Sequence, residues 1–158
     1  SAAAEADALT SHLHALSEGL NTLPFETKEE DREVYRFPQG DIPATLMDLS
    51  MALLPSMGKL CDVVEQAHEL LQEAVAGNAD WQNAYEAEDW LVPVGQLQSR
   101  ALATRALFED YALGAGRPRR YARWLNRNLY DVEMVSAPIE PGNILQVFYT
   151  LITVFTNP

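Results

Sequence analysis

Leu9, Leu13, Leu16 and Leu20 recur at steps of three and four. That spacing lines one face of an α-helix and predicts an amphipathic helix over about 4–21, closed near Gly19 and Asn21. A longer register begins at Pro43. Leu46, Leu53, Leu60, Ala67 and Ala74 repeat every seven residues, with Met57, Val64 and Leu71 between them. This seam predicts a helical stretch running to a stop at Gly77 and Asn78. Pro55 and Gly58 lie inside it and predict a kink, or two helices in near-continuity. A third row, Leu91, Val94, Leu97, Ala101, Thr104, Phe108 and Tyr111, predicts helix over about 80–113, with Pro93 a further break. Helices of about thirty residues would reach roughly 45 Å at 1.5 Å per residue, a length that suits an elongated antiparallel bundle.

Between these helices the pattern changes. "PFETKEEDREVYRFPQGDIP" is a connector with a solvated acidic centre, in which "EVYRF" reads as a short extended piece. "GAGRP" stops the third helix, and "PRRYARWLNRN" predicts a short helix with Pro118 in its first turn. "YDVEMVSAPI" alternates and is β-branched, "PGNILQVFY" suits a short helix opened by a turn, and "LITVFT" reads as a buried strand with an exposed edge. The expected fold is therefore mainly α: an elongated antiparallel helical bundle with a short C-terminal β–α–β fragment. Helices followed by β–α–β suggest a helical insertion returning to the edge of an α/β domain, with a boundary at 128/129.

Composition narrows the function classes. The chain has 158 residues, 47% of them hydrophobic, and a net charge of −12. Such acidity argues against a general nucleic-acid-binding surface but leaves room for a local basic face. The single cysteine, Cys61, builds neither a disulfide framework nor a cysteine-ligated cluster, and fits a reducing cytoplasm. No run approaches the length of a membrane span, and "SAAAEADALT" has no leader pattern. Its lack of a methionine reads as an artificial start or an excised segment.

No phosphate loop, nucleophile elbow, HExxH or CxxC is present. His12 and His14 are two apart, which on a helix points them roughly 200° from each other and away from a shared metal. One strip stands out. Arg117, Arg119, Arg120, Arg123 and Arg127 are five of the eleven basic residues, interleaved with Tyr121 and Trp124. Guanidinium forks grip phosphate and aromatic faces accept unstacked bases, so the strip is a candidate single-strand contact. The alternative is that the arginine stems and Trp124 pack against the long helices, with the guanidiniums paired to carboxylates.

"EVYRFPQGDIPATLMDL", "MGKLCDVVEQAHELLQEAVAG", "VPVGQLQSRALATRALFEDYA", "ARWL" and "VEMVSAPIEPGNIL" together resemble the DinG/YoaA-like branch of the XPD-type superfamily 2 DNA helicases. In that family a helical arch interrupts the enzyme before an "ARW" segment, an "AP…L" segment and a strand that enters the second motor domain. Ala122, Arg123 and Trp124 match the first; Ala137, Pro138, Ile139 and Leu145 match the second; "ITVFT" matches the strand as far as Thr156. The family's Ser-Ala-Thr-Leu is replaced by Asn157 and Pro158. The resemblance implies an arch domain, 1–128, followed by the beginning of a motor domain, 129–158. It implies a parent enzyme that uses ATP, Mg2+ and an iron–sulfur cluster to move 5′→3′ on DNA in the cytoplasm. This chain would hold no cofactor and would help guide or separate single-stranded DNA, with the arginine strip as its rim. The competing expectation is a free-standing acidic helical-bundle interaction domain that binds a partner protein through its helix faces, with the tail strand completed by an oligomer mate.

Overall fold

The computed structural model describes residues 2–29, 32–77, 84–114, 121–129, 131–139 and 148–153. Its helices are α1 (Ala2–Asn21), α2 (Ala44–Val75) and α3 (Ala84–Leu113), and its strands are β1 (Glu26–Glu29), β2 (Arg32–Arg36), β3 (Tyr121–Arg127), β4 (Asp131–Pro138) and β5 (Phe148–Thr153). The fold is mainly α, with an antiparallel sheet in the order β1-β2-β3-β4-β5.

The heptad seam and the third apolar row face each other. Leu71 and Ala74 of α2 pack with Ala87, Leu91 and Val94 of α3, and a side chain at Gly95 would meet His68. At the other end a side chain at Gly114 would meet Met47. Positions rising along α2 thus meet positions falling along α3, the signature of an antiparallel helical hairpin roughly 45 Å long. Pro55 and Pro93 lie within single helices. Both are exposed, as are Met51 and Asp89, the residues whose carbonyls they deprive of an N–H partner. Gly77 ends α2 at φ +75, a left-handed conformation that a side chain disfavours.

α1 runs antiparallel to the first half of α2. Gly19 lies against Leu46 and Leu49, and Glu5 pairs with Lys59. Leu16 and Leu20 enter the main core with Leu46, Leu53, Leu107, Phe108, Tyr111, Leu125 and Met134. The core therefore sits at one end of the hairpin, between α1 and the sheet. The other end projects as a two-helix arm.

The sheet corrects one expectation. The short helix expected over "PRRYARWLNRN" is instead strand β3 from Tyr121 onward, while Pro118, Arg119 and Arg120 lie outside the described residues. β3 pairs with β2 (Glu33↔Arg127, Tyr35↔Leu125) and with β4 (Arg123↔Ser136, Leu125↔Met134). β4 forms where a strand was expected, while β5 shares only Leu151, Ile152 and Thr153 with the expected strand over 151–156, whose last three residues lie outside the described residues; the two pair antiparallel, Val132 opposite Ile152. The helix expected over 141–149 lies outside the described residues except for Phe148 and Tyr149, which open β5. The boundary at 128/129 falls in the β3–β4 turn, where the Asp131 N–H donates to Asn128 Oδ1 at 2.7 Å. The α2–α3 hairpin is consequently an insertion between β2 and β3, two strands that are direct neighbours.

Candidate functional site

The insertion closes on a buried arginine. In β3 side chains alternate between faces, and Arg123 and Leu125 point into the core, buried together. Arg123 Nε and Nη2 donate to Asp110 Oδ2 and Oδ1 at 2.7 and 2.9 Å, a bidentate fork. Nη1 donates to the Gly40 carbonyl at 2.6 Å and Nη2 to the Gly114 carbonyl at 3.2 Å. Ser136 Oγ donates to Asp110 Oδ2 at 2.5 Å. One guanidinium thus ties together the turn before α2, the last turn of α3 and β3, with β4 joined through Asp110. The side chains of the pair are 3% and 5% exposed.

Backbone geometry supports this clasp. The Phe37 N–H donates to the Arg123 carbonyl at 3.1 Å. Gly40 has φ +78, and a Cβ there would lie 2.1 Å from the Tyr121 carbonyl oxygen. Glycine is required on both counts. Tyr111, one residue past Asp110, is fully buried, and its hydroxyl donates to the Val135 carbonyl at 3.0 Å. Burial pushes its ionisation well above the ordinary tyrosine range, so it stays neutral.

The arginine strip is divided by these contacts. Arg123 spends its fork internally. Arg127 donates to Glu33 at 2.6 Å and lies 4.0 Å over the Phe25 ring; this pairing holds the Glu33 carboxyl below its ordinary range. Tyr121 is half-buried with the Arg123 guanidinium 5.3 Å from its ring centre, and Trp124 occupies the other face of β3, opposite Val135 and Arg36. Arg117, Arg119 and Arg120 lie outside the described residues. For Arg123 and Arg127 the geometry is that of packing and ion pairing.

Asp110, Tyr111, Ser136, Gly40 and Gly114 had not been singled out as site residues. The signal for Asp110 was available: a carboxylate among Leu107, Phe108 and Tyr111 requires a buried partner. Among the described residues, no group of His, Cys, Asp and Glu could hold a metal ion, and no helix is long and apolar enough to cross a membrane. His14 pairs with Glu18 at 3.3 Å. Cys61 is buried, and burial raises its thiol ionisation.

Four of the five resemblance segments contribute a residue to this clasp: Gly40, Asp110, Arg123 and Ser136. Ala122, Arg123 and Trp124 pair in register with Ala137, Ser136 and Val135, and "FPQGD" supplies the Gly40 carbonyl. No family model matches the chain, and no curated protein or solved structure matches it.

Proposed function

We propose that the chain is a non-catalytic, arch-like helical insertion of a DinG-like, ATP-dependent DNA helicase, helping to guide or separate single-stranded DNA. The observation that carries this reading is the departure and return of the α2–α3 hairpin on the adjacent strands β2 and β3, with four of the five resemblance segments each supplying a residue to the join. An insertion pinned at its root can project without disturbing the sheet that bears it. ATP, Mg2+ and an iron–sulfur cluster would belong to the rest of the parent enzyme, in a cytoplasmic setting.

On this reading Arg123 and Arg127 hold the root, and phosphate contact falls to Arg117, Arg119 and Arg120. The test is binding of a labelled oligothymidylate by the full chain across a salt series. Three phosphate contacts on a single strand give a log–log salt slope of roughly −2. Replacing Arg117, Arg119 and Arg120 together by Ala removes most of that slope. Equal affinity and slope in wild type and triple variant would sink the DNA reading. A second reading, a helical interaction domain, is favoured by the apolar side chains that the arm leaves exposed.

A further inference from the structure

On one flank of the arm, α2 and α3 leave a recess of about 590 Å³, lined by His68 of α2 and by six residues of α3 between Leu91 and Arg100. That volume falls within the range of small-molecule sites. Gly95 makes room for it. A Cβ there would lie 3.1 Å from His68 Nε2, so its absence lets the imidazole lie against α3 and leaves a gap in that helix's surface. Leu91, which packs inward with Leu71, Ala74 and Ala87, and Val92, 65% exposed, give the recess an apolar wall. Ser99 borders it one turn beyond Gly95, and its hydroxyl donates to the Gly95 carbonyl at 3.1 Å.

The polar groups on this space are donors. They are the Gln96 amide, the His68 imidazole and the Arg100 guanidinium. Among the described residues, neither the His68 nor the Arg100 side chain has an ion-pair or hydrogen-bond partner. Helical spacing explains the free guanidinium. Arg105 meets Glu109 one turn on, whereas the residues three and four away from Arg100 are Gln96, Leu97, Ala103 and Thr104, none of them acidic. We propose that the recess binds a small carboxylate with an apolar body, its carboxylate on Arg100 and Gln96 and its body on Leu91 and Val92. One guanidinium balances one carboxylate, and the planar fork suits it. Glu65, one turn before His68, and Glu88, one turn before Val92, share the flank and disfavour a polyanion such as nucleic acid. This inference uses no residue of the DNA reading and does not depend on it.

The probe is phenylpropionate, titrated into the isotope-labelled full chain and read from the backbone amide signals of Gly95, Gln96 and Ser99. A ligand of about eleven heavy atoms binds at about the millimolar level. Phenylpropanol, which keeps the apolar body and lacks the charge, binds at least about threefold more weakly. Arg100→Gln, at an exposed position, weakens the acid by about that factor and leaves the alcohol within about twofold, so the two then bind alike. Ser99→Leu, also at an exposed position, fills the recess and weakens both by at least about threefold. Arg36→Gln, at an exposed arginine of the sheet, changes neither by more than about twofold. The proposal is overturned by the absence of saturable shifts up to about ten times the expected Kd, or by equal affinity for acid and alcohol in the wild type. Tighter binding of inorganic phosphate overturns it too, as does an equal loss of acid binding in Arg36→Gln and Arg100→Gln.

Discussion

Arg123→Ala is the most revealing single substitution. It removes four hydrogen bonds: two to Asp110 and one each to the carbonyls of Gly40 and Gly114. The Asp110 carboxylate stays in place, its side chain 5% exposed, without the charge that balanced it. Breaking a buried pair from one side costs about 3–5 kcal/mol, chiefly the penalty of the stranded charge. For a chain of this size each kcal/mol moves Tm by roughly 2–4 °C, so a fall of roughly 6–20 °C is expected. Thermal and urea melts followed by circular dichroism provide the reading. Arg123→Lys loses most of the same stability, because an ammonium cannot reproduce the planar fork. Replacing both members, Arg123→Met with Asp110→Leu, loses clearly less than the two single changes summed. The reasoning is refuted if Arg123→Ala stays within about 0.5 kcal/mol of wild type, as surface substitutions do. Additivity of the pair would refute it equally.

Other substitutions probe the surroundings of the clasp. Gly40→Ala forces a left-handed residue to carry a Cβ 2.1 Å from the Tyr121 carbonyl oxygen, and the same melts should show a loss of more than about 1–3 kcal/mol. Tyr111→Phe removes the bond to the Val135 carbonyl and loses about 1 kcal/mol in urea titration; no change would remove that bond from the account. Glu33 has its ionisation lowered by Arg127 from an ordinary 4.5, so its contribution is complete above that value and lost as pH falls through the lower folded value. Glu33→Gln therefore flattens the acid limb of the stability profile below about pH 4.5 and leaves its shape near neutrality unchanged. Cys61, buried with a raised ionisation, should react with a thiol reagent far more slowly in the native chain than in urea; equal rates would place it at the surface.

The helices were legible because their cores obey one period. Leu46, Leu53 and Met57, and Phe108 and Tyr111, are buried where the seam placed them. β3 was illegible for a specific reason. Its inward positions, Tyr121, Arg123, Leu125 and Arg127, include two arginines, so the apolar alternation that announces a strand is broken by the residues that make the site. Helix-favouring Ala, Arg and Leu then read as a short helix after Pro118. The Asn128–Asp131 turn was the local cue to a hairpin. The clasp itself joins positions up to 83 residues apart, and spacing along the chain carries no trace of such a contact. The exposure of Leu97 was hidden by the same periodicity that found the bundle, since that residue extends the apolar row whether or not anything covers it.

Amide hydrogen exchange on wild type and Arg123→Ala tests most directly whether the hairpin is an insertion pinned at its root. In wild type, the amides of 33–36, 124–127 and 107–111 should be protected together, as one cooperative unit. In the variant, protection should fall at those amides while the arm, 64–75 and 85–100, keeps its own pattern. Unchanged protection at the root, or an equal loss along the whole hairpin, would contradict the pinned insertion.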